Sequence, residues 1–157
     1  MLTLSDNIVT VYGEVPELVE RESNQLIEKY LGEEKDDFNF VKYNLYDHDI
    51  NQIIEESLTL PFFSDKKAIL VKNAFVFTGE KVAKDQQPNT SALIEFLEKY
   101  DGQNLIVFEV YQAKLDERKK VVKTLKKHTR LSKIEQMSEQ DMKQWIKQYL
   151  NHEYKDI

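Results

Sequence analysis

Asp47, His48 and Asp49 follow one another directly, the densest grouping of metal-ligating or proton-transferring side chains in the chain. Two carboxylates around an imidazole could hold a divalent ion, and an enzyme using them would most naturally be a metal-dependent phosphohydrolase. Against this, consecutive side chains usually diverge, no further ligands suggest themselves, and Asp49 stands where a helix N-cap is expected. His128 and His152 read as solvated helix residues. The chain has no cysteine, which removes thiolate catalysis, disulfides and cysteine-based zinc or iron–sulfur sites.

Phosphate chemistry is the second possibility, because Ile8-Val9-Thr10-Val11-Tyr12 reads as a strand that ends at Gly13 and leads into a helix. A Walker loop needs a second glycine for close backbone approach, a lysine for the phosphates and a hydroxyl for magnesium. Counted from Gly13, those positions hold Leu18, Val19 and Glu20. None of the three supplies the required group, and Glu14, Glu17 and Glu20 would repel a triphosphate. The third strand should end in Walker B acids, yet Lys72 and Asn73 follow Val71. A dinucleotide fingerprint is missing too, since no glycine stands two or five positions after Gly13. The expectation is no catalytic residue, no metal and no cofactor.

A third feature concerns contact rather than chemistry. Leu60-Pro61-Phe62-Phe63-Ser64-Asp65-Lys66-Lys67 is a turn with two adjacent phenylalanines, running into the apolar Ala68-Ile69-Leu70-Val71. Turns are normally polar, so these rings are covered either by the protein's own core or by a pocket on a partner. Pro61 limits the freedom lost on docking, and neighbouring rings in a tight turn do not easily share one core pocket. The residues alone leave both explanations open, with at least one ring expected to pack inward.

The elements that must position these groups alternate. After the first strand, Pro16 opens a helix with Leu18, Val19, Leu26, Ile27, Tyr30 and Leu31 on one face, and Gly32 ends it. Residues 38–45 read as a second strand, and Asp49 caps a helix with Ile50, Ile53, Ile54 and Leu58 on one side. Residues 68–71 form the third strand. Residues 77–89 are polar and suit a mobile loop, followed by a helix starting at Thr90 or Ser91, with Leu93, Phe96, Leu97 and Tyr100 as its stripe and Asp101-Gly102 as its end. Leu105-Ile106-Val107-Phe108 is continuously apolar, as in a central parallel strand. A helix with Val121, Val122 and Leu125, a strand over 129–134, and a helix opened by Ser138 with Met142, Trp145, Ile146, Tyr149 and Leu150 inward complete the pattern. Five strand–helix alternations predict an α/β fold: a five-stranded parallel sheet with helices on both faces. Ligands of such sheets sit beyond the carboxyl ends of the strands, here after Tyr12, Leu45, Val71 and Val110.

At 157 residues the chain fits one ordinary domain, without a membrane span or signal peptide, so the reading is a soluble, cytoplasmic protein. Its net charge is −6, but residues 114–133 contain nine Lys or Arg against Asp116 and Glu117, a local +7 that leaves −13 elsewhere. Lys119, Lys120, Lys123, Lys126 and Lys127 therefore form either a solvated face or a surface for DNA or an acidic partner.

Taken in order, several segments resemble the delta subunit of the bacterial DNA polymerase III clamp loader. They are Val11-Tyr12-Gly13-Glu14-Val15-Pro16, the stretch from Ser57 through the aromatic turn to Ala74, Lys114-Leu115-Asp116-Glu117-Arg118-Lys119-Lys120, and Ser138-Glu139-Gln140-Asp141-Met142-Lys143-Gln144-Trp145-Ile146. The resemblance runs from about Ile8 to the end, over the N-terminal part of what that family contains. It implies an AAA+-type (RecA-like) core with a degenerate phosphate loop over residues 1–137, and the first helix of a truncated lid over 138–157, with the collar absent. It also implies that the protein binds and helps open the sliding clamp (beta) without binding or hydrolysing ATP itself. Leu60, Pro61, Phe62 and Phe63 are the implied clamp anchor, although Phe62 stands where the family commonly has an aliphatic residue. The implied further partners are the other loader subunits, delta prime and gamma/tau, and primer–template DNA through the assembled complex.

Overall fold

Leu105–Val110 is apolar at five of its six positions and buried at all six, which requires cover on both faces. In the computed structural model, which describes residues 5–32, 39–60, 66–135 and 139–154, this segment is strand β4. The other strands are β1 (Ser5–Tyr12), β2 (Phe40–Asn44), β3 (Ala68–Lys72) and β5 (Thr129–Lys133). The helices are α1 (Pro16–Leu31), α2 (Ile50–Leu58), α3 (Thr90–Lys99), α4 (Lys120–His128) and α5 (Glu139–Tyr154). All strand pairs are parallel, in the order β2-β3-β4-β1-β5. The expected five-stranded parallel sheet is therefore present, with β4 at its centre.

Strand alternation divides the core into two layers. Val9, Val11, Ala68, Leu70, Leu105 and Val107 face α1, where Val19, Ile27 and Leu31 meet them. On the opposite face Ile8, Ile69, Val71, Ile106, Phe108 and Val110 are covered from α2, α3 and α4 by Ile50, Ile53, Leu93, Leu97, Val121, Val122 and Leu125. The division follows from the connections. The chain leaves β1 across one face to reach the far edge at β2, and the remaining crossovers step back across the other face. Adjacent strands β1 and β4 thus send their chains over opposite faces, making their carboxyl ends the topological switch point.

Local chemistry fixes the helix ends. Asp49 Oδ1 accepts from the Asn51 N–H at 2.9 Å, as expected of the α2 cap. Gly32 closes α1 at φ +59°, a conformation favouring glycine. The cap of α3 is Asn89, whose Oδ1 accepts from Ala92 N–H at 3.1 Å, so the helix begins at Thr90, one of the two expected starts.

Other expectations need correcting. Phe77, read as the start of a polar loop, is fully buried with Phe75 and Val76 in a 3-10 turn and meets Phe108 edge to face at 5.2 Å. Leu58, read on the same side of α2 as the buried Ile50 and Ile53, is 61 % exposed. On α5, Ile146, Tyr149 and Leu150 are exposed rather than inward, because no described element covers that face. Trp145 is half-buried, with the Arg21 guanidinium 5.6 Å from its ring centroid. Phe38, Ser138 and the Met142 side chain lie outside the described residues.

Candidate functional site

Two turns at opposite ends of the strands hold the candidate site residues: the β1–α1 turn at the switch point, and the connection from α2 to β3. In the first, only Gly13, Glu14 and Val15 separate the end of β1 from the start of α1. Pro16 at the first helical position starts the helix early, with φ already suited to it. A phosphate cradle needs a longer loop whose N–H groups face the ligand. Here Gly13 N–H donates to Val110 O at 3.1 Å, and Leu18 and Val19 N–H donate to Val15 O at 3.1 and 3.2 Å. Val19, at the phosphate-lysine position, is fully buried against the sheet. The space above Gly13 is filled as well. A Cβ on Gly13 would lie 2.9 Å from Ile134 Cβ, and Ile134 N–H donates to Tyr12 O at 2.8 Å.

Three charged groups converge beside this turn. On the α1 face, β3 runs Ala68, Leu70, Lys72 and β4 runs Leu105, Val107, Glu109, so both strands change from apolar to charged at their carboxyl ends. Lys72 Nζ lies 3.2 Å from Glu109 Oε1 and 3.5 Å from Glu20 Oε1 on α1. Glu109 is wholly buried, and its Oε1 also accepts from Tyr111 O–H at 2.6 Å. Burial pushes the Tyr111 hydroxyl well above its ordinary pKa, and the Glu109 carboxylate adds to the shift.

The second turn starts from an anchored stem. Asn104, on the turn before β4, donates through Nδ2 to Ser57 O at 2.9 Å and Thr59 O at 2.8 Å, taking up carbonyls at the end of α2. Tyr100 O–H holds the Asn104 carbonyl at 2.8 Å. Lys67, 4 % exposed at the entrance to β3, pairs with the Glu56 carboxylate on α2, which also accepts from Tyr43 O–H. Both ends of the turn are thus held by buried polar contacts. Leu58 and Leu60 nevertheless face solvent, Leu60 at 81 % exposure. Beside Leu58, a cavity of about 350 Å3 between α2 and α3 is lined by Ile54, Ala92, Phe96 and Tyr100. Pro61, Phe62 and Phe63 lie outside the described residues. Sequence reasoning found the turn but missed Glu56, Lys67 and Asn104, which act across the fold.

The remaining candidates do not converge. Asp49 is engaged as a cap, while His48 Nδ1 sits 3.1 Å from Asn44 O and its ring packs edge-on against Tyr43 at 5.0 Å. No group of three metal-ligating side chains occurs among the described residues. On α4, Lys120, Lys123 and Lys127 are exposed. Lys119 turns back to Val76 O at 3.4 Å, and Lys126 pairs with Glu117. Hydrogen bonds from Lys126 and Arg118 hold the Glu117 and Asp116 carboxyls below the usual carboxylate range. The basic segment is therefore partly self-neutralised.

A family model described as "DNA polymerase III, delta subunit" matches residues 10–135. The chain belongs to that family. Among curated relatives, the DNA polymerase III subunit delta of Bacillus subtilis is 28 % identical over 131 residues, covering 83 % of this chain and 38 % of the relative. The solved Bacillus subtilis DNA clamp loader delta protein superposes with a TM-score of 0.78 at 26 % identity, over 94 % of this chain and 43 % of that one. The chain thus spans about two-fifths of the length of these relatives. A DNA polymerase III gamma subunit-related protein from Thermotoga maritima shares the fold, with a TM-score of 0.52 at 15 % identity over 94 % of this chain and 48 % of that one. The delta-subunit resemblance carried by the motifs, and the α/β parallel-sheet fold, agree with these findings. No described helix is long and apolar enough to cross a membrane.

Proposed function

We propose that this delta-family chain binds the sliding clamp of the replicative polymerase through the turn after α2, and favours the open ring because it binds that state more tightly than the closed one. The carrying observation is the stem of that turn. Leu58 and Leu60 are exposed, yet Asn104 and the Lys67–Glu56 pair hold their backbone in place. A loop whose two stems are held before docking loses less freedom on binding, and in this reading Phe62 and Phe63 are the anchors in a clamp pocket, with Leu60 and Pro61 shaping the approach.

Opening is mechanical in this reading, and ATP is bound and hydrolysed by other subunits. The three-residue β1–α1 turn, whose Gly13 N–H is given to Val110 O, supports that division of labour. Residues 1–137 form the clamp-binding domain and α5 begins the lid. Delta prime, gamma/tau and primer–template DNA meet the chain in the assembled loader. The deciding experiment is binding of this chain to its cognate clamp, by calorimetry or surface capture, with Phe62→Ala/Phe63→Ala as the comparison. Tight binding by the parent and a loss of at least tenfold in the variant are expected; equal affinity of the two would remove the anchor.

A further inference from the structure

The positions of Glu20 and Lys72 carry more than the absence of a phosphate loop. In a nucleotide site on this kind of strand–loop–helix, magnesium is shared by the hydroxyl residue that ends the phosphate loop and the acid that ends the third strand. Counted from Gly13, the hydroxyl position is Glu20, and the acid's position after Val71 is Lys72. These two side chains touch each other, Lys72 Nζ lying 3.5 Å from Glu20 Oε1. The same ammonium lies 3.2 Å from Glu109, which is wholly buried on the neighbouring central strand. Glu109 Oε2 has no hydrogen-bond partner among the described residues.

Each element places its group by ordinary means. Lys72 is the last residue of β3, and Asn73 turns the chain at φ +56°, a conformation asparagine tolerates better than most residues. Ala74 N–H then donates to Glu109 O at 2.9 Å, tying the exit of β3 to β4. A buried carboxylate is held in its charged form at low cost only beside a counter-charge, and the Lys72 ammonium supplies one from the chain itself.

We propose that Lys72 is a built-in counter-ion: its ammonium takes over, between Glu20 of α1 and Glu109 of β4, the charge-bridging role that a nucleotide-bound metal ion plays at a working switch point. The bridge ties α1, β3 and β4 together without any ligand, so this end of the sheet keeps one arrangement whatever the nucleotide level. The inference rests on the nucleotide-free reading of the chain and adds to it the group that replaces the ligand.

The test separates a surrogate ion from an ordinary ion pair. Thermal unfolding is followed for the parent, Lys72→Ala and Lys72→Ala/Glu109→Gln, each with and without millimolar Mn2+, and for the parent with millimolar Mg-ATP. Lys72→Ala should unfold several degrees below the parent and regain much of that loss when Mn2+ is added, because Glu20 and Glu109 are left to bind the metal. The parent and the double variant should not respond to Mn2+. If Lys72→Ala fails to fold alone, recovery of its folded spectrum in Mn2+ gives the same reading, and Lys72→Gln provides a milder second variant. Absence of any Mn2+ effect specific to the lysine variants overturns the proposal. Stabilisation of the parent by Mg-ATP would instead overturn the nucleotide-free reading, so the two failures are distinguishable.

Discussion

The β1–α1 turn and the α2–β3 turn use polar chemistry to opposite ends. At the first, the Gly13 N–H, the Ile134 side chain and the Lys72 ion pairs set the chain's own groups at a place where this fold commonly receives a ligand. At the second, buried contacts from Asn104 and Lys67 hold the stem while Leu58 and Leu60 stay exposed. Under the proposed function, one turn of the fold is filled by the chain's own groups while recognition is carried by a different loop.

That contrast can be broken at several points. Both turns are built on the same sheet, so Phe108→Ala, which removes a ring of the central strand packed against Phe77, should cost about 3–5 kcal/mol in denaturant unfolding. It would lower folding and clamp binding together, and unaltered stability would show that the centre of the sheet is not what unites the regions. Phe62→Ala/Phe63→Ala should act on recognition beyond the core, costing on the order of 2 kcal/mol or more in clamp affinity at a temperature where the variant is fully folded.

Asn104→Ala tests whether the stem supports recognition. Leaving the Ser57 and Thr59 carbonyls without their donor should cost about 1–3 kcal/mol of stability. A stiffened turn further predicts weaker clamp binding at a temperature where the variant is fully folded. Gly13→Ala is the mirror-image change: with Ile134 Cβ 2.9 Å from the new methyl, about 1–3 kcal/mol of stability should be lost while clamp affinity stays at the parent's value. The smallest effect is expected from Asp49→Ala, about 1 kcal/mol from the lost α2 cap. Normal clamp binding by that variant would set the Asp47-His48-Asp49 cluster apart from recognition.

Whatever depended on local pattern was legible in the sequence. The apolar run of β4, the stripes of α3 and α4 and the Asp49 cap all follow from neighbouring residues. Phe77 was misread because the polar stretch after it suggests a loop, while its burial depends on Phe108 across the fold. Leu58 continued the α2 period, but the helix ends there, and no described neighbour closes over it. The stem contacts were invisible for a related reason: Asn104 reaches partners 45 and 47 residues away, and nothing in an isolated asparagine marks it as a cap for a distant helix. Lys72 was legible only as a missing acid, since its partners come from α1 and β4.

The strand order also bears on how the protein is made. Among the described strands β1 is synthesised before the others, yet its sheet neighbours β4 and β5 lie at residues 105–133. A nascent chain reaching only to residue 100 can pair β2 with β3, but β1 must wait with its apolar Ile8, Val9 and Val11 uncovered by a neighbouring strand. Synthesis at roughly 5–20 residues per second makes that wait several seconds long. Long-range parallel pairing is intrinsically slow to form, so this first strand is where a chaperone would have most to protect.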